Sequence, residues 1–240
     1  MLKFVLGRWT MAELDQFIRE ASGIKDAGER INILSRRFLG TRYEEQTLKG
    51  DTNKEEVMVV NLEGVDCFTF IDYIEAMRLS GSFPVFTETL LRVRYRPAEV
   101  SFGNRKHFFT DWREFNRDFV EDVTEQTGGQ ATITVPKILN RKKDGTYFVR
   151  GIPPVKREIK YIPSKALGAA LTANLKTGDY AGIYSDQEGL DVSHVGIIIK
   201  DKGLVSFRHA SSSSRHRKVL DEDFRDYISS KPGLMILRPK

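Results

Sequence analysis

The sequence predicts an α+β fold, helical in its first half and sheet-rich in its second. Apolar residues recur at helical spacing, with capping signals, through the first part of the chain. From residue 131 short β-branched runs separated by turn residues take over. Between these regimes an extended run at 57–62 turns sharply into a helical pattern. At 240 residues, 40% hydrophobic and 30% charged, the chain has ordinary globular composition. One domain over 1–240 is expected, helical at about 1–125 and sheet-rich at about 126–240.

The first helix is expected at Thr10-Met11-Ala12-Glu13, which has capping-box spacing, followed by Met11, Leu14, Phe17 and Ile18 on one face. A second helix is expected over 26–38, with Gly40 ending it. Val57-Met58-Val59-Val60-Asn61-Leu62 reads as a strand, and Phe68, Ile71, Ile74 and Met77 place a helix directly after Asp66. Further helices are expected at 87–95 and from Thr110 or Asp111 through Phe119, with an irregular polar segment at 96–109 between them. Segments 131–139, 147–150 and 158–162 read as strands or extended segments, Ser164 as the cap of a short helix reaching Leu175, and 180–185, 193–200 and 204–210 as an antiparallel meander. A helix at 221–228 and a strand at 234–237 complete the pattern.

The formal charge of +5 favours polyanions only weakly. Arg141-Lys142-Lys143 and Arg215-His216-Arg217-Lys218 are basic clusters, but no aromatic ladder, zinc spacing or recognition-helix pattern accompanies them. They read as solvated loop charge, and no nucleic-acid partner is expected. No apolar stretch is long enough to span a bilayer, and the opening run 1–8 is too short for the core of a secretion signal. The single cysteine excludes an internal disulfide.

That cysteine, Cys67, falls in the first turn of its expected helix, where unpaired N–H groups and the helix dipole favour a thiolate. A lone free cysteine is more commonly a small buried hydrophobe, so the histidines matter. On consecutive expected strands, His194, Gly196 and Ile198 share one face, and Val205, Phe207 and His209 share another. If the cysteine helix covers both faces, the two imidazoles neighbour Cys67, and Gly196 leaves room for the helix to approach. Acyl transfer needs these parts: a thiolate nucleophile, an imidazole base and a polar group that fixes the base. A zinc site from Cys67, His194 and His209 ranks below acyl transfer, because the short-range ligand pairs are missing. No metal or cofactor is expected. Asp66 reads as a helix cap and His216 as an exposed residue of a basic run.

Val65-Asp66-Cys67-Phe68-Thr69-Phe70, Leu175-Lys176-Thr177-Gly178-Asp179, Ser193-His194-Val195-Gly196-Ile197 and His209-Ala210-Ser211-Ser212 resemble the successive motifs of NlpC-type papain-like peptidoglycan hydrolases. Cys-Phe-Thr-Phe departs from the common Cys-Ser-Gly continuation. With the segment 105–112, it is closer to the N-acetylmuramoyl-L-alanine amidase-like branch. The resemblance implies a papain-like fold with the Cys67 helix packed on an antiparallel sheet. It implies a peptidoglycan or muropeptide substrate, with Cys67 as nucleophile, His194 as base and His209 as its orienting partner. The Cys67 N–H would hold part of the oxyanion, and Tyr95, Arg105, His107 and Ser193 are candidates to contact substrate. Related enzymes cut between γ-D-glutamate and a diamino acid. A thiol acyltransferase and a non-catalytic wall-binding module are alternatives on the same scaffold. A periplasmic or cell-envelope location follows from the substrate, while the absence of a visible export signal is also compatible with the cytoplasm. Oligomeric state is not encoded in these motifs.

Overall fold

A computed structural model of the protein describes residues 2–240. Its contacts gather into two compact units. The first takes the chain up to Arg105 together with Arg208–Asp221, and the second takes Lys106–Phe207 and Glu222–Lys240. The chain thus passes between units after Arg105, Phe207 and Asp221.

The first unit opens with β1 (Leu2–Val5), α1 (Met11–Ser22) and α2 (Ala27–Arg36). Thr10 and Glu13 form the expected capping box of α1, and the Asp26 side chain caps α2. Then come β2 (Arg42–Tyr43), β3 (Lys49–Asp51), β4 (Lys54–Asn61), β5 (Gly64–Val65), α3 (Cys67–Arg78) and α4 (Phe83–Arg94). Strand β1 pairs in parallel with β4, whose other edge holds β3, and β2 pairs in parallel with β5.

Helix α3 is buried from Thr69 through Arg78, so its polar residues need partners inside the fold. Arg94 Nε donates to Asp72 at 2.8 Å, Arg78 grips Glu75 at 2.6 and 2.8 Å, and Tyr73 Oη accepts the Asn61 N–H at 2.8 Å. Helix α4 begins four residues before the expected 87, because Pro84 suits a helix's first turn.

The second unit holds α5 (Phe109–Phe115), β6 (Val120–Asp122), α6 (Thr124–Gly128), β7 (Ile133–Leu139), β8 (Val155–Pro163), α7 (Ala169–Ala173), β9 (Tyr180–Tyr184) and β10 (Val192–Asp201). Strands β11 (Leu204–Ala210) and β12 (Val219–Asp223) are each divided between units, and α8 (Phe224–Ser229) and β13 (Gly233–Pro239) complete the chain. The sheet order is β12–β11–β10–β9–β13–β8–β7, with β6 beside β13. One face buries Ala181, Ile183, Ile198, Phe207, Leu234 and Ile236 against Phe224 and Ile228 of α8. On the other, the Phe109 ring lies where a Cβ on Gly182 would sit, and Trp112 packs edge-on against Tyr180 at 5.1 Å.

Several boundaries differ from expectation. Residues 147–150 are not a strand. They belong to a loop closed by Asn140, whose side chain donates to the Val149 and Ile152 carbonyls and accepts from the Val149 N–H. The helix expected from Ser164 to Leu175 is a 3-10 turn and then α7, interrupted at Gly168. Helix α5 stops at Phe115, and β12 takes residues 219–223 before α8.

Candidate catalytic residues

In the first unit, β5 ends at Val65 and Asp66 turns the chain into α3. Asp66 Oδ1 accepts the N–H groups of Phe68 and Thr69 at 3.0 and 2.7 Å and the Thr69 hydroxyl at 2.9 Å, and Thr69 Oγ1 accepts the Asp66 N–H at 3.0 Å. This double cap fixes the first turn. Cys67 is the first helical residue and stays half-buried, while the helix is buried from Thr69 onward. A thiol is therefore held at the open, positive end of a rigid core helix.

Tyr43 stands opposite Val65 in the β2–β5 pair. Its N–H donates to the Arg217 carbonyl at 2.8 Å, and the Arg217 guanidinium lies 4.9 Å over its ring while pairing with Glu45 at 3.1 Å. Burial, followed by the negative charges of Cys67, Asp66 and Glu45, pushes the Tyr43 phenol up to about 12, with Arg217 opposing. Tyr43 is thus electrostatically coupled to the cysteine. Sequence reasoning missed it because a two-residue strand carries no periodic signal. Arg217 is exposed, as the sequence reading has it, and it also has an aromatic partner and a carboxylate.

His209 is 2% exposed, near the end of β11. The preceding Arg208 anchors this segment within the first unit. It grips Asp221 through two bonds of 2.7 and 2.8 Å and donates to Asn32 and Ser35. Tyr95 and Arg105 converge on buried Glu56: Tyr95 Oη donates at 2.7 Å, and Arg105 pairs with the carboxylate through Nε and Nη2. Tyr95 is 1% exposed. Both side chains are thus engaged with Glu56, an acid that the sequence did not single out.

In the second unit, His194 lies on β10 opposite Ile183, with its ring 6.1 Å from Phe207 and 6.4 Å from Tyr227 of α8. His194 thus shares the Ile198 and Phe207 face, and within this unit α8 packs on that face. A bulge between Val192 and His194 breaks simple alternation and leaves Ser193 exposed, its hydroxyl 3.4 Å from the Ile183 carbonyl. Asp191, fully buried, accepts the Thr110 N–H and hydroxyl at 2.7 and 2.8 Å and the Val192 N–H at 2.8 Å, which pins the start of β10. Burial raises its carboxyl above the usual range. His107 is half-buried just before α5, and His216 is half-buried in the first unit. Among the described residues, no three His, Cys, Asp or Glu side chains form a group that could hold a metal ion.

The family model described as AmiA-like, N-acetylmuramoyl-L-alanine amidase-like, matches residues 33–234. Among solved structures, the chain is similar to protein LPG0564 of Legionella pneumophila, assigned to the family DUF1460. Identity is 22%, TM-score 0.78, and coverage 96% of this chain and 97% of that one. It is also similar to an N-acetylmuramoyl-L-alanine amidase of Bacteroides uniformis, at 25% identity and TM-score 0.76, covering 89% and 99%. A Bacteroides fragilis protein described as a candidate xylanase is similar at 25% identity and TM-score 0.68, covering 85% and 98%. No curated protein sequence matches the chain.

Proposed function

Because the chain belongs to the AmiA-like, N-acetylmuramoyl-L-alanine amidase-like family, we propose that it hydrolyses the amide between N-acetylmuramic acid and L-alanine in peptidoglycan or its fragments, through Cys67. The observation that carries this reading is the thiol at the first position of a doubly capped, buried helix, half-buried where the rest of the helix is closed.

In this mechanism His194 takes the Cys67 proton and the thiolate attacks the lactyl carbonyl. The tetrahedral oxyanion is held in part by the Cys67 N–H. The imidazolium then protonates the departing L-alanine nitrogen, leaving a thioester that water hydrolyses. His209 fixes the base, and its strand end is tied down by Arg208. Tyr43, protonated to about pH 12, keeps a hydrogen-bond donor in the neighbourhood of the thiolate. Asp66 serves the cap and takes no proton. The papain-like character of the fold belongs to the same reading. With cell-wall peptidoglycan as substrate, the reading extends to a periplasmic or cell-envelope location; with released fragments, the cytoplasm is the alternative. Among the described residues no helix is long and apolar enough to cross a membrane.

The test is digestion of defined muropeptides followed by mass spectrometry. The intact protein is expected to release the stem peptide with a free L-alanine amine, Cys67→Ala to release none, and His194→Ala and His209→Ala to lose most of the rate. Full activity in Cys67→Ala refutes the nucleophile, and products cut at the γ-D-glutamyl bond refute the substrate assignment.

A further inference from the structure

We propose that the loop at 140–152 is a docking surface for anionic phospholipid headgroups. The loop is built to a fixed shape. Asn140, at a φ of 70°, ties both ends through its three side-chain bonds, and its N–H donates to the Gly189 carbonyl at 2.7 Å. At its tip two adjacent aromatic residues face solvent: Tyr147 is 45% exposed and Phe148 37%. Around them stand Arg141, Lys143 and Arg150, all exposed, and Lys142, whose ammonium lies 5.0 Å over the Phe148 ring, with exposed Lys156 just beyond.

None of these five cations forms an ion pair among the described residues, whereas neighbouring Arg157 is paired with Asp111 and Lys137 is spent on the Ser185, Gln187 and Leu190 carbonyls. The one carboxylate inside the segment, Asp144, accepts from the Thr146 N–H and hydroxyl and so serves the loop's own turn. Asp186 and Glu188 face Lys142, Lys143 and Phe148 across a cavity of about 570 Å³ and offset part of the charge. The balance remains positive. Exposed aromatics ringed by lysine and arginine match the bilayer interface, where rings settle among headgroups and cations meet phosphates. A soluble polyanion would use the charges and leave the two rings idle.

The proposal is independent of the catalytic reading and is tested by vesicle cosedimentation. The full chain is mixed with phosphatidylcholine vesicles and with vesicles that also contain phosphatidylglycerol. Binding is expected only with phosphatidylglycerol. Each cation near the surface contributes roughly fivefold, so Lys143→Glu combined with Arg150→Glu should weaken binding by roughly 25-fold or more. Tyr147→Ser with Phe148→Ser should abolish the binding that survives raised salt. Unchanged melting and an unchanged far-ultraviolet circular dichroism spectrum establish that both variants fold. The proposal is overturned by no binding, by equal binding to neutral vesicles, or by a charge-reversed variant that binds like the parent. It is equally overturned if soluble polyglutamate competes fully and the aromatic variant binds undiminished, which would mark a polyanion surface.

Discussion

Replacing Asp66 by alanine removes a single side chain that secures the nucleophile's turn. Asp66 Oδ1 accepts two backbone N–H groups and the Thr69 hydroxyl. Loss of an N-cap costs roughly 0.5–2 kcal/mol, and loss of a carboxylate at the helix N-terminus adds about 0.3–1 kcal/mol. Because α3 is buried just beyond this turn, the cost should fall in the upper part of that range, about 2 kcal/mol in all. Asp66→Asn keeps an acceptor for the two amides and should lose well under half as much. Urea unfolding at neutral pH reads the difference as a lower midpoint at unchanged slope. A second readout is available because Cys67 is the only cysteine: iodoacetamide alkylation should slow in Asp66→Ala, as the frayed turn no longer presents ordered N–H groups to the thiolate. The reasoning fails if Asp66→Ala matches the parent in stability, or if asparagine is as damaging as alanine.

Tyr43 titrates near 12 in the fold against roughly 10 unfolded. Its contribution to stability is therefore complete below about pH 10 and is lost as pH rises toward 12. Tyr43→Phe should flatten the alkaline fall of the unfolding free energy by about 1 kcal/mol after allowance for solvent screening, and an unchanged alkaline profile would contradict the raised Tyr43 phenol. Arg105→Met leaves Glu56, 1% exposed, without its cation, which should cost about 3 kcal/mol. If thermal unfolding is unaltered while KM rises, Arg105 belongs to substrate instead. Gly182→Ala would bring a methyl within 2.6 Å of the Phe109 ring and 2.8 Å of Val192. Such overpacking costs about 1–3 kcal/mol, and calorimetry showing a stable variant would contradict the tight seating of α5 on the sheet.

Much of this organisation can be read from residue order, because it is local. Thr10 with Glu13, Asp26, and Asp66 with Cys67 mark three helix starts through caps that act within three residues, and short, nearly continuous apolar runs mark β9 and β10. What escaped reading depends on distant partners. Strands β1 and β2 exist because β4 and β5 receive them, and nothing in Leu2–Val5 or Arg42–Tyr43 announces that pairing. Residues 147–150 have the β-branched and aromatic look of a strand, yet Asn140 closes them into a loop. The cysteine and its cap were legible. Tyr43, Arg208 and Glu56 were not, because each matters through a contact 20 or more residues away: Tyr43 with Cys67 and Arg217, Arg208 with Asn32, Glu56 with Arg105.

The interleaving of the two units bears on how the protein emerges from the ribosome. When Arg105 has been made, its unit still lacks the segment whose backbone bonds to Gly40, Thr41 and Tyr43 steady the strand carrying Tyr43, and whose Arg208 reaches Asn32 and Ser35. Another hundred residues must be translated before that segment arrives. The nascent amino-terminal portion must therefore wait, partly assembled, while the intervening segment is made, a situation in which exposed strand edges invite aggregation. Scission between Arg105 and Lys106 should accordingly yield a fragment that a chaperone retains, and one that supplying residues 208–221 as a separate peptide helps to release.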